Sequence, residues 1–265
     1  MTSISLLGVP HDENSSFMRG PAEAPSHIRR ELRSDAYTIC SESSIDLGVQ
    51  GRLVDIGDVE FKDNIDAWES IESRVWSATG NGSPLICLGG DHAITHPIMR
   101  AVRRRHAKLT ILHIDAHADI YHAYQNNLRS HASSFARIME EGLADRLIQV
   151  GLRTITDHHR DQFRRFGVEV IEAARCHDNM RLEFNTPVYI SMDIDALDPA
   201  YAPAVSHREP GGLSVRQVIN LIQSVQHPIV AAKLVKEIAG MMVVTNTPAS
   251  PLGFVPASYQ GSSVP

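Results

Sequence analysis

Seven short apolar runs recur along the chain, at residues 4–8, 53–56, 85–88, 109–114, 147–152, 168–171 and 188–192. They are continuous rather than alternating. Helix-length patterns separate them, at about 23–33, 65–79, 94–105, 132–142, 157–165 and 215–225. A strand covered on both faces reads as an unbroken apolar run, because neither side of it meets water. Such strands alternating with helices specify an α/β fold with a mainly parallel sheet and helices on both faces, three layers in all. One helix start is explicit: Ser214-Val-Arg-Gln217 follows Gly211-Gly212 and fits a capping box. Residues 1–240 read as one domain, and the Ser-, Pro- and Gly-rich 241–265 as an atypical C-terminal tail.

In open sheets of this class, ligands bind beyond the carboxyl ends of the strands. Three runs end there in ionisable groups. "LTILHIDAHADIYH" closes its strand with Asp115, His117 and Asp119; "PVYISMDIDALDP" does so with Asp193 and Asp195; "PLICLGGDHAIT" passes through Gly89-Gly90 to Asp91 and His92. Alternate residues of extended chain face one side, so Asp115, His117 and Asp119 converge, as do Asp193 and Asp195. Each ion buried without a partner costs several kcal/mol. A bound cation removes that cost. With His92 added, the donors are four carboxylates and two imidazoles without a thiolate, which suits Mn²⁺ better than structural Zn²⁺. Four carboxylates exceed what one ion needs. Asp115 and Asp193 as bridges between two ions about 3.5–4 Å apart give a two-metal hydrolytic site.

Bulk properties narrow the partners. The formal net charge of −6 speaks against non-specific nucleic-acid binding, which wants a basic face, and leaves a small cationic ligand open. No run approaches the roughly 18–20 apolar residues of a membrane span, so no membrane partner is expected. Cys40, Cys87 and Cys176 are odd in number and lack CxxC spacing. They read as free thiols in a reducing compartment. The start, MTSISLLGVPHDE, has no basic segment ahead of a long apolar run. A cytoplasmic protein is the expectation.

The stretches "GGDHAIT", "HIDAHADIYHAYQNNLRSHASSFARIME" and "YISMDIDALDPAYAPAVSHREPGGLS" resemble the three signatures of the ureohydrolases, the family of arginases and agmatinases. The wording is most similar to plant-type arginases and bacterial agmatinase-like relatives, and "GVPHDENSSFMRGPAEAPSHIR" extends the likeness to the start of the chain. The resemblance implies an arginase-like fold and hydrolysis of a guanidino substrate, agmatine or arginine, to urea and an amine. It implies two Mn²⁺ per chain, one held by His92, Asp115, Asp119 and Asp193, the other by Asp115, His117, Asp193 and Asp195. Asp119 would orient the attacking water and help move its proton. His131 would act as proton shuttle. Asn127, His207 and Glu209 would touch the far end of the substrate. Arg129, in the same loop as Asn127, stands where it can meet a substrate carboxylate. A homo-oligomer, trimer or hexamer, is implied too. His96, His113 and His122 read as structural histidines.

The likeness breaks after the helix at 215–225. Relatives continue there with a strand of the type "DVVEFNP", whose glutamate pairs with the guanidinium. Here "NLIQSVQ" runs into "HPIVAAKLVKEIAG", which resembles the family's last helix. One C-terminal strand is therefore expected to be lacking or substituted, with 241–248, "MMVVTNTP", the candidate substitute and Glu237 inside the helix pattern. That break leaves a second reading open: a metal-binding relative without turnover. A hydrolase of another guanidino or formimino substrate is a further alternative.

Overall fold

A computed structural model describes residues 3–35, 38–80 and 82–233. Among them, eight strands form one sheet: β1 (Ile4–Gly8), β2 (Leu53–Asp58), β3 (Leu85–Leu88), β4 (Thr110–Ile114), β5 (Arg146–Leu152), β6 (Glu169–Glu172), β7 (Val188–Met192) and β8 (Ile229–Lys233). Their order is β2-β1-β3-β8-β7-β4-β5-β6, and each neighbouring pair is parallel. The helices are α1 (Ala24–Leu32), α2 (Ala67–Ala78), α3 (Thr95–Arg103), α4 (Ser134–Glu140), α5 (Asp157–Phe166) and α6 (Val215–Gln223). All seven expected strands and six expected helices are present. The capping box at Ser214 is formed, with the Gln217 backbone N–H donating to the Ser214 hydroxyl and the Gln217 side chain accepting in return. No helix among the described residues is long and apolar enough to cross a membrane.

The period-2 alternation of the strands divides their side chains between two apolar layers. Ile86, Leu112, Ile148 and Ile190 face α1 and α6, where they meet Val218, Leu221 and Ile222. Leu85, Ile111, Leu147 and Tyr189 face the other way, onto Ile71 and Val75 of α2, Ile98 and Met99 of α3, and Phe135 of α4. The three-layer arrangement follows from that division, and it aims the carboxyl ends of β3, β4 and β7 at one region.

One expectation is corrected here. The likeness reads 227–240 as the family's last helix, with the C-terminal strand lacking or substituted by 241–248. Instead Ile229–Lys233 is β8, seated between β3 and β7. Ala231 pairs with Leu85 on one side and Tyr189 on the other; Ala232 pairs with Ile86 and Ile190. The physical reason is the slot itself. Without β8 the facing edges of β3 and β7 would present rows of unsatisfied backbone groups in the middle of the sheet. Pro228 disfavours helical geometry at His227, and the following Ile-Val-Ala-Ala run is apolar and begins β-branched. A run this short fits a buried strand as well as a helix by periodicity alone. Glu237 and the segment 241–248 lie outside the described residues.

Candidate metal centre

The turn after β3 uses both glycines. Gly89 and Gly90 have φ of 71° and 78°, and a Cβ on Gly90 would lie 2.7 Å from the carbonyl oxygens of Val9 and His11. Only glycine fits such a position. The turn delivers Asp91, whose carboxylate caps the next short turn by accepting from the Ala93 backbone N–H at 3.0 Å. His92 is thereby directed inward, 2% exposed. After β7, Asp193 caps its own turn in the same way, accepting from the Asp195 N–H at 3.1 Å. After β4, the Asp115 carboxylate accepts from the His117 N–H at 2.6 Å. Asp119 then takes the left-handed region, φ 45°, which aspartate tolerates better than most side chains.

These turns bring the six expected ligands together. His92 Nδ1 lies 3.1 Å from Asp115 Oδ2, 3.1 Å from Asp119 Oδ2 and 3.4 Å from Asp193 Oδ2. His117 Nδ1 lies 3.1 Å from Asp195 Oδ2 and 3.4 Å from Asp115 Oδ1. One ring nitrogen faces three carboxylate oxygens, a set of donors that could hold a cation, and Asp115 takes part in both groups. The electrostatics agree. Burial, reinforced by the charges of Asp193 and Asp115, pushes the Asp195 carboxyl well above the usual carboxylate range. Burial acts to lower the His117 imidazole, but hydrogen bonds to Asp115 and Asp195 outweigh it and push its pKa up to about 12. A divalent cation relieves this crowding of negative charge, and hard carboxylate oxygens with imidazole nitrogens suit Mn²⁺.

The centre floors a cavity of about 840 Å³ that includes His131, His207 and Glu209 in its wall. His131 Nε2 meets the Ser16 hydroxyl at 2.8 Å. The loop carrying Ser16 is anchored at its base, where the Asn14 N–H donates to Asp91 Oδ2 at 2.9 Å. The His207 ring centroid is 5.3 Å from that of His117 and 6.3 Å from that of His131. Glu209 Oε2 is 3.4 Å from His117 Nε2. Asn127 is placed differently: it is not among the lining residues, its amide donates to Asn14 Oδ1 at 3.1 Å, and its oxygen accepts from the Arg129 N–H at 2.9 Å. Arg129 is turned away from the cavity, its guanidinium paired with Asp66 at 2.6 Å and stacked over Trp68.

Sequence reasoning assigned nothing to four polar residues beside the centre. Ser191 Oγ meets His92 Nε2 at 2.8 Å, which leaves Nδ1 for the carboxylate cluster. His113 contacts Asp115 and Gln149 contacts His113. Ser16 meets His131. A faint signal existed for two of them. Ser191 and His113 each precede a ligand aspartate by two residues on the same strand, and so share its face.

The arginase family model matches residues 2–244. Arginase 1, mitochondrial, of Oryza sativa subsp. indica is 44% identical over 250 residues, covering 88% of this chain and 74% of that protein. The N(1)-aminopropylagmatine ureohydrolase of Thermus thermophilus is 33% identical over 256 residues, covering 92% of this chain and 83% of that protein. Among solved structures, the arginase from Medicago truncatula superposes with a TM-score of 0.85 at 36% identity, covering 91% of this chain and 87% of that one. Fold and sequence agree, and the chain belongs to the arginase family.

Proposed function

We propose that this protein is a manganese-dependent amidinohydrolase that releases urea from a small cationic guanidino substrate, with arginine the first candidate and agmatine the second. The observation that carries the reading is the approach of His92 Nδ1 to Asp115, Asp119 and Asp193 within 3.4 Å. His92, Asp115, Asp119 and Asp193 would hold one ion, and Asp115, His117, Asp193 and Asp195 the other. Bound there, the ions supply Lewis acidity and lower the pKa of the attacking water. The remaining chemistry belongs to side chains. Asp119 orients the water and takes its proton as the oxygen bonds to the guanidinium carbon. The carbon–nitrogen bond to the alkyl group then breaks, and the amine leaves once protonated. His131, held at Nε2 by Ser16, relays to the amine the proton that Asp119 took, so both side chains end as they began. His207 and Glu209, on the wall, stand where the rest of the substrate lies. Arginine ranks first because of the likeness to plant arginases. With Arg129 engaged by Asp66, a substrate carboxylate must find its partners elsewhere.

The test is urea release from arginine, agmatine and guanidinobutyrate by Mn²⁺-loaded protein. Release from one of the three supports the reading and names the substrate. No urea from any, with metal bound, favours instead a metal-binding relative without turnover. The assembly implied is a homo-oligomer, trimer or hexamer; a sedimentation mass equal to one chain would contradict it.

A further inference from the structure

Beneath the ligand carboxylates, one pleat down, the sheet carries polar side chains in layers that are otherwise apolar. Gln149 of β5 pairs in register with His113 of β4, and both are fully buried. Gln149 Nε2 donates to the Ala118 carbonyl at 2.7 Å and contacts His113 Nδ1 at 3.0 Å. His113 Nε2 contacts Asp115 Oδ2 at 2.8 Å. These contacts fix one another in order. A backbone carbonyl only accepts, so the amide nitrogen of Gln149, not its oxygen, faces Ala118. That same nitrogen therefore donates to His113 Nδ1, which must be the bare nitrogen of the ring. The proton then sits on Nε2 and is donated to Asp115 Oδ2. The amide oxygen of Gln149 is buried and takes no hydrogen bond. A side chain left in that state is held for its donor end.

We infer that Gln149 and His113 form a tautomer-locking pair that holds the Asp115 carboxylate in its ligating orientation. His113 is grouped in space with His92 and Asp115 as though it were a ligand itself. Both of its nitrogens are engaged, so it acts through Asp115 and is a positioning residue. Asp115 stands in both proposed ion sites, so one oriented oxygen affects both. Partners of this kind change metal affinity by about 10–100-fold when removed. The inference rests on the reading of Asp115 as a metal ligand.

Two substitutions separate orientation from packing. His113 also packs on Phe135, ring centroids 4.0 Å apart. His113→Phe keeps a ring on Phe135 and removes the donor. His113→Gln gives up the ring and keeps an N–H donor near the position of Nε2. The measurement is calorimetric titration of Mn²⁺ into metal-free protein, with thermal unfolding followed by circular dichroism as the check on folding. Expected are a 10–100-fold weaker affinity for His113→Phe and an affinity within about threefold of the parent for His113→Gln. The reverse order, or equal losses, overturns the inference. If His113→Phe does not fold, Gln149→Leu carries the test. It frees the ring to take either tautomer, and at least a threefold weakening is expected; an unchanged affinity overturns the lock. If the parent protein itself takes up no Mn²⁺, the ligand reading falls and this inference with it.

Discussion

The placement of β8 is open to a sharp test by Ala232→Asp. Ala232 is fully buried, on the sheet face shared with α6, between Ile86 and Ile190. Among the described residues its neighbours in register, Ile86 and Ile190, offer an aspartate no polar side chain. Its carboxyl must stay protonated, and burying such a polar group without a hydrogen bond costs about 2–7 kcal/mol. The slot is also sized for a methyl group, and overpacking adds roughly 1–3 kcal/mol. A loss of at least ~3 kcal/mol follows, a large share of the roughly 5–15 kcal/mol that holds a domain folded. Were the segment the helix that the resemblance implied, with Ala232 on its exposed side, the same change would cost only about 0.7 kcal/mol of helix propensity. Urea unfolding of metal-free parent and variant, followed by circular dichroism, measures the difference without interference from metal linkage. A loss below about 1 kcal/mol would refute β8 as a central strand.

Three further outcomes are expected. Asp193→Ala should reduce bound Mn²⁺ from two ions per chain to at most one, by metal analysis of the reconstituted protein; two ions retained would remove Asp193 from the bridging role. His131→Asn should lower kcat by about 10²–10⁴ while leaving Mn²⁺ stoichiometry unchanged; a rate near the parent's would end its role as shuttle. His96 is lowered from its ordinary value, chiefly by burial, between Trp68, which donates to its Nδ1, and the Glu141–Arg100 pair. With the folded value below the unfolded one of about 6.5, the unfolded chain takes up the proton first as pH falls. The stability this histidine contributes is complete above pH 6.5 and is lost as pH falls through its folded value, at up to ~1.4 kcal/mol per pH unit. Unfolding titrations between pH 7 and 5 should therefore fall less steeply for His96→Asn than for the parent; equal slopes would contradict the assignment.

The convergence of the candidate ligands was legible because its signal is local. An unbroken apolar strand such as 109–114 or 188–192, followed at once by ionisable groups at alternate positions, states both the strand's end and the shared face. The supporting turns were partly legible too: Gly89-Gly90 announces a conformation that other residues avoid. β8 was not, because Ile-Val-Ala-Ala carries no periodicity that separates a buried strand from a helix, and a likeness to the family's last helix filled the gap. His113 and Gln149 were invisible for a different reason. They are 36 residues apart and meet only through the register of β4 on β5, which no spacing encodes. Ser16 reaches His131 across 115 residues, again by tertiary placement alone. Asn127 and Arg129 show the converse: their sequence position beside His131 suggested the substrate, and their side chains are engaged by Asn14 and Asp66 instead.

The proposed function has two ions in this cluster driving ureolysis. Its most direct test is the rate of urea release from arginine as Mn²⁺ is added stepwise to the metal-free protein. The rate should rise with bound metal and reach its plateau at two Mn²⁺ per chain. Urea release that is undiminished in the metal-free protein, or a plateau at a single ion, would contradict it.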